Sequence, residues 1–176
     1  MKKFIFMYFV LLAMANTIMA QSFDESVSTP LHVEIGMGAG TANNGILPID
    51  ADVNVNYTLG GRFTLQAVMQ SSYFVPKYGT TDSYNRATNL GGGVGYIFAP
   101  EKNDKLGDFE LRACVTTTIG GSNYKNTSYD LGIYWYSHTN KHTLIPIVGV
   151  GYRFRNYSDK SISDYNGAFF SLGIRF

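Results

Sequence analysis

Five carboxylates, Glu34, Asp50, Asp52, Glu110 and Asp130, and five arginines, Arg62, Arg112, Arg153, Arg155 and Arg175, recur inside stretches of this chain that are otherwise rich in apolar residues. Charges carried away from water are costly unless paired, and the matched numbers suit a network of mutual ion pairs. A proton or small-ion path is the sharper chemistry that such a row of charges allows. The candidate general bases are His32, His138 and His142; Ser137 adjoins His138, and His138 and His142 have a spacing that a metal tolerates. Neither arrangement comes with a third group, so a solvated turn is the simpler reading. Cys114 stands alone, which excludes an intramolecular disulfide and a zinc framework. Gly36-x-Gly38-x-Gly40 and Gly91-Gly92-Gly93-Val94-Gly95 open no helix and lack a following Gly-Lys-Ser/Thr, so they do not read as phosphate loops. No cofactor is implied.

The elements that must position these residues follow from composition and period. The chain has 176 residues, 45% hydrophobic and 15% charged, with a formal net charge of +1. That balance fits one domain and excludes a nucleic-acid binder, whose affinity rests on phosphate neutralisation. With 13 Tyr, 12 Phe and 19 Gly against 5 Pro, strands and turns are favoured over helices. Residues 1–20 read as a secretory signal peptide: Lys2 and Lys3, an apolar stretch Phe4–Ala15, then cleavage after Ala20. The apolar stretch is shorter than the ~20 residues a spanning helix requires. Residues 21–29 are polar and read as a loose tail, and the folded domain is expected over 30–176.

From Leu31 onward apolar and polar residues alternate with period two, the mark of strands with two unlike faces. Eight such segments are predicted: Leu31–Gly40, Ile49–Leu59, Phe63–Tyr73, Asn89–Phe98, Asp108–Ile119, Ser128–Tyr136, Leu144–Arg155 and Gly167–Phe176. The seventh is the noisiest, with Pro146 near its start and Ile145 and Ile147 on its polar face. The connectors Thr41–Pro48, Val75–Ala87, Gly120–Asn126 and Asn156–Tyr165 are mostly longer than Gly60-Gly61, Ala99–Gly107 and Ser137–His142, which predicts long loops at one end and shorter turns at the other.

A soluble barrel carries its charges outside, with Lys and Glu common there. Here the polar faces are poor in Lys and rich in Gly, Asn, Gln, Thr and paired Asp, Glu and Arg, as a confined lumen would be. The apolar faces carry no charge between segment ends, which matters because Arg or Lys at a bilayer midplane costs about 2–4 kcal/mol. Aromatics on those faces gather at two levels: Tyr57, Phe63, Phe98, Phe109, Trp135 and Phe176 at one, Tyr73, Tyr129, Tyr152 and Phe154 at the other. Two interfacial girdles are therefore expected. The fold class that follows is an all-β, closed, eight-stranded, antiparallel up-and-down transmembrane barrel, because closure alone satisfies strand backbones in lipid. Its lumen is just wide enough for side chains to fill, and the inward glycines of the first, fourth and seventh strands leave room for long Arg and Tyr side chains.

The chain ends on Phe170-x-Leu172-x-Ile174-x-Phe176. This ending resembles the C-terminal assembly signal of bacterial outer-membrane barrels, and the strand number and plan resemble the small eight-stranded OmpX/OmpA-type membrane domain family. The resemblance implies location in the outer membrane of a Gram-negative-type bacterium. It also implies outer-membrane lipid as surroundings, and periplasmic chaperones and the barrel-assembly machinery as partners during biogenesis. Both termini and the three histidines would then face the periplasm, the wrong side for a base acting on lipid A, so a non-enzyme is expected. Tyr78, Tyr84, Tyr124, Tyr157 and Tyr165 fall in the outer loops and are candidate contacts for an unknown surface ligand. A structural or surface-interaction role is the leading expectation, with a narrow porin-like channel behind it and a lipid A-modifying enzyme last.

Overall fold

The structure, a computed structural model, describes residues 30–43, 45–59, 62–76, 85–98, 107–137 and 144–176. The signal peptide and tail expected over 1–29 lie outside the described residues, as do Tyr78, Tyr84, His138 and His142. Eight strands form: β1 (Leu31–Gly40), β2 (Ile46–Leu59), β3 (Phe63–Pro76), β4 (Asn85–Ile97), β5 (Asp108–Thr118), β6 (Asn126–Tyr136), β7 (Ile145–Tyr157) and β8 (Tyr165–Arg175). Each pairs antiparallel with its neighbour in sequence, and β1 pairs with β8 to close the barrel. The closing seam reaches the last residue: Phe176 N–H donates to the Val33 carbonyl at 2.8 Å. No described helix is long and apolar enough to cross a membrane.

Alternation sorts side chains onto two walls. Met37 (65% exposed), Phe63 (60%), Val94 (56%) and Leu131 (55%) face out, whereas Glu110 and Arg155 (each 0%) face in. A one-residue slip of any strand would exchange these sets, so the register is fixed by the chemistry of both walls. The rim at which β1 begins and β8 ends is called the near rim here, and the opposite one the far rim.

At the far rim the strands run beyond their predicted ends: β2 starts at Ile46, β4 at Asn85, β6 at Asn126 and β8 at Tyr165, while β3 ends at Pro76 and β7 at Tyr157. The cause is visible in the inward face. Phe74, Ala87, Tyr157 and Tyr165 are buried there as an apolar cluster, with Ile46, Tyr124 and Ile162 against it. Where apolar residues turn inward and polar ones such as Arg86, Asn156 and Asn166 turn outward, the polar-in, apolar-out pattern breaks down, although the hydrogen-bond ladder continues. Three far-rim connectors shrink accordingly, to 41–45, 77–84 and 158–164, while the fourth, 119–125, keeps its length because β5 ends at Thr118; the longest connector, 98–107, lies at the near rim. The expected contrast between a long-looped and a short-turned end is thus corrected. Gly45 (φ 77°) makes the first of these far-rim turns compact, in the left-handed region that glycine enters without a Cβ clash.

Candidate functional site

The lumen is organised in three tiers. Near the near rim, Arg112 of β5 donates to both carboxylate oxygens of Glu34 on β1, at 2.8 Å each. Arg175 of β8 approaches the same carboxylate, its Nε at 2.9 Å and its Nη2 at 2.8 Å. Glu110 completes the tier: it accepts from Arg112 at 3.1 Å, from Tyr136 Oη at 2.6 Å, from Gln66 Nε2 at 3.2 Å and from the Thr64 hydroxyl. The guanidiniums also lie over rings, Arg112 at 4.4 Å from the Tyr134 centroid and Arg175 at 3.8 Å from that of Tyr136. A ring face offers a buried cation partial compensation for lost water.

Gly95 is what admits Glu110. A Cβ at that position would collide with the Glu110 carboxylate and the Thr64 hydroxyl. The inward glycines of β1 and β7 make room for Tyr as expected, Gly40 for the Tyr165 hydroxyl and Gly149 for the Tyr134 ring, but the other neighbours are Asp52 at Gly36, Glu110 at Gly95 and Phe169 at Gly151 and not arginines.

The next tier towards the far rim centres on Arg153 of β7. It donates to Asp130 through Nε at 2.8 Å and Nη2 at 2.6 Å, and through Nη1 to Asp50. Arg155 Nη2 shares Asp50 at 2.7 Å and contacts Ser72 Oγ at 3.0 Å, while the Ser72 hydroxyl donates to Asp50 at 2.5 Å. Phe169 lies 4.7 Å from the Arg153 guanidinium and Phe74 5.3 Å from that of Arg155. Among the described residues Arg155 Nε and Nη1 and Arg112 Nε have no hydrogen-bond partner.

Above this tier the lumen ends in rings. Phe74 stacks on Tyr124 with centroids 5.1 Å apart and meets Tyr157 edge-on at 5.9 Å. Tyr165 donates to the Thr41 carbonyl at 2.8 Å. Tyr157 and Tyr165 are strand residues, each 1% exposed, which corrects their placement in the loops, whereas Tyr124 lies in the loop between β5 and β6 as expected, half-buried. They close the far mouth because the inward face of the wall there carries apolar rings.

Between the tiers lies a cavity of about 40 Å³, lined among others by Asp52, Asn54, Gln66, Cys114, Tyr134 and Ser171. Cys114 donates from Sγ to Gln66 Oε1 at 3.2 Å, in keeping with its reading as a small lumen residue. In sequence, the chain matches no protein-family model and no curated protein.

Of the ten charged residues read as a lumen network, nine are brought together inside. Arg62 is the exception: it sits exposed in the turn between β2 and β3, 3.5 Å from Tyr96 Oη. Its position matches the inward parity of Thr64, but the tight turn at the rim breaks the strand that would carry it inward. The ring partners Tyr134, Tyr136, Phe169 and Phe74, and the hydrogen-bonding Thr64, Gln66 and Ser72, were not among the predicted site residues. Their shared parity with the charges was the signal available for them.

The outward aromatics occupy the exterior wall as expected. Tyr57, Phe63, Phe98, Trp135, Phe109 and Phe176 lie towards the near rim, with Phe98 and Phe109 rings 6.0 Å apart. Tyr73, Tyr129 and Phe154 lie towards the far rim, Tyr129 and Phe154 being 6.4 Å apart, and Tyr152 sits one outward position deeper. The closing β8 presents Phe170, Leu172, Ile174 and Phe176 on the same wall, all exposed. Arg86, beside Tyr73 in the ladder, is the one charged residue that the described strands turn outward.

Among the described residues no group of three or more His, Cys, Asp or Glu is placed to hold a metal ion. His32, the one described histidine, is a partly buried near-rim residue of β1.

Proposed function

We propose that this chain is an integral outer-membrane barrel without catalytic activity, a plugged scaffold that presents its far-rim loops to the cell exterior in a structural or contact role. The observation that carries this reading is the inversion of sides. The outward wall exposes its large apolar residues, among them Leu172 (53%), Val150 (52%) and Leu65 (49%), while the inward wall buries carboxylates and guanidiniums. Water around such a barrel would face a continuous apolar surface far larger than soluble monomers expose. From Phe63 to Tyr73 on β3, at ~3.3 Å per residue and a tilt of about 40°, this belt is about 25 Å tall, the height of the hydrocarbon band in outer-membrane barrels.

Two features support a scaffold over a channel. Ion pairs cross the lumen from β1 to β5 and from β2 to β7, and the ring cluster of Phe74, Tyr124, Tyr157 and Tyr165 fills the far mouth. Contact with a partner would then fall to the loop tips, where Lys125, Asp159 and Lys160 are exposed. Asp159 is held below the usual carboxylate range by the Ser161 backbone N–H, 2.9 Å away, so it stays charged there.

The test is fractionation with electrophoresis. The protein is expected in the outer-membrane fraction and should migrate differently in detergent gels before and after boiling; recovery as a soluble periplasmic protein overturns the proposal. In planar bilayers no stepwise conductance is expected, and steps abolished by substituting lumen charges would favour the channel instead. Lipid A from expressing cells should keep its mass.

A further inference from the structure

From the Glu34–Arg112 tier to the Arg153–Asp50 tier the lumen holds one carboxylate more than it holds guanidiniums; Asp108, which shares the inward parity, lies outside this stretch at the near-rim start of β5. Glu34, Asp50, Asp52, Glu110 and Asp130 face inward with Arg112, Arg153, Arg155 and Arg175. Four of the acids meet an arginine: Glu34 at 2.8 Å, Asp50 at 2.7 Å, Asp130 at 2.6 Å and Glu110 at 3.1 Å. Among the described residues Asp52 has no such ion pair; its hydrogen-bond partner is Asn54 Nδ2, 3.1 Å from Oδ2. One negative charge is therefore left without a guanidinium partner at a partly buried position, and such a charge is costly.

Asn54 gives an independent sign at the same place. It is 9% exposed, its Nδ2 is spent on Asp52, and among the described residues its Oδ1 has no hydrogen-bond partner. Both side chains line the cavity of about 40 Å³, room for a small ion with one or two waters. Gly36 keeps the opposite side of Asp52 open, since a Cβ there would stand 2.9 Å from Oδ2. A water alone would satisfy Asn54 Oδ1 and leave the charge unmatched, whereas a divalent ion would reverse its sign. A carboxylate, a carboxamide oxygen and water are the oxygen donors a hard cation takes.

We propose that the middle of the lumen binds one monovalent cation of sodium size, held by the Asp52 carboxylate and Asn54 Oδ1. The site depends on the lumen and not on what surrounds the barrel, so it stands or falls separately from the membrane reading.

The full barrel, folded in detergent micelles, is unfolded in urea and followed by the fluorescence of its single tryptophan, Trp135. Sodium chloride is compared with N-methylglucamine chloride at equal ionic strength. Sodium at ~10 times its dissociation constant should raise the folded-to-unfolded ratio about elevenfold, and the ratio should go on rising in proportion to sodium above that. Asp52→Asn keeps the side-chain shape and removes the charge, so its midpoint should be the same in both salts. Equal midpoints for the unsubstituted protein overturn the proposal, as they would if Asp52 carried a proton; so does a full sodium response in D52N. Should D52N not fold, the sodium NMR line width decides: broadening by the folded protein that vanishes on unfolding supports the site, and its absence removes it.

Discussion

Arg112 on β5 and Glu34 on β1 face one another across the barrel interior, joined by two parallel hydrogen bonds of 2.8 Å with both side chains 3% exposed. The strands that carry them are not neighbours in the ladder, so this contact ties opposite walls. Removing one partner strands the other. Glu34→Ala leaves Arg112 with Glu110 and Arg175 with its 3.6 Å contact to Glu110. The expected loss is about 3–5 kcal/mol, the cost of breaking a buried pair from one side. Urea unfolding measures it. Replacing Glu34 and Arg112 together by apolar residues of similar volume should cost much less than the single change, because no uncompensated charge remains.

The far-rim plug predicts a second loss of a different kind. Phe74 is 2% exposed, stacks on Tyr124, and lies 5.3 Å from the Arg155 guanidinium. Phe74→Ala should destabilise the barrel by about 3–5 kcal/mol through the cavity it leaves and the ring contacts it removes. Tyr165→Phe, which removes the hydroxyl bonded to the Thr41 carbonyl but keeps the ring, should cost only about 1 kcal/mol. Equal losses in the two variants would mean that ring packing is not what holds the far mouth together.

How much of this was legible in the sequence depends on which wall is considered. Through the middle of each strand the two faces differ in chemistry, and Val53 against Asn54 or Leu111 against Arg112 announces which way each points. At the far rim Phe74 and Tyr157 face inward between Tyr73 and Val75 or beside Asn156, so polarity no longer marks the side and the strands looked shorter than they are. Which arginine meets which acid was not legible. Asp50 and Arg153 are brought together by the stagger of the closed barrel, which no single strand records, and Asp52 looked like one more paired acid until that stagger was known. Arg62 shows the opposite limit: parity was right, but a rim turn cancelled it.

Phe176 contributes to closure as well as to the outward wall. Its N–H donates to the Val33 carbonyl at 2.8 Å, and its side chain is 40% exposed beside the start of β1. Deleting it removes the last pair of bonds of the β1–β8 seam, that bond and the 3.4 Å one from Val33 N–H to the Phe176 carbonyl, together with the terminal aromatic of the assembly signal that the ending resembles. The deletion should lower the fraction of cellular protein that shows heat-dependent migration, while purified protein refolded in detergent should lose far less. Equal assembly of the full-length and shortened chains in cells would count against a signal role for this residue.

The outward wall offers the most direct test of what surrounds the barrel. Leu131 lies in the middle of β6, 55% exposed, with Ala113 and Tyr152 as its ladder partners. On a barrel surrounded by water, Leu131→Arg replaces an exposed apolar side chain and should change stability by no more than about 0.5 kcal/mol. On a barrel surrounded by hydrocarbon the same change places a guanidinium near the midplane and should cost about 2–4 kcal/mol. Thr127→Arg, on the same strand near the far rim, should be tolerated, as Arg86 is at a comparable edge. Unfolding both variants from lipid vesicles separates the cases: a large penalty at 131 with little at 127 requires a depth-dependent apolar medium, and small penalties at both positions would rule one out.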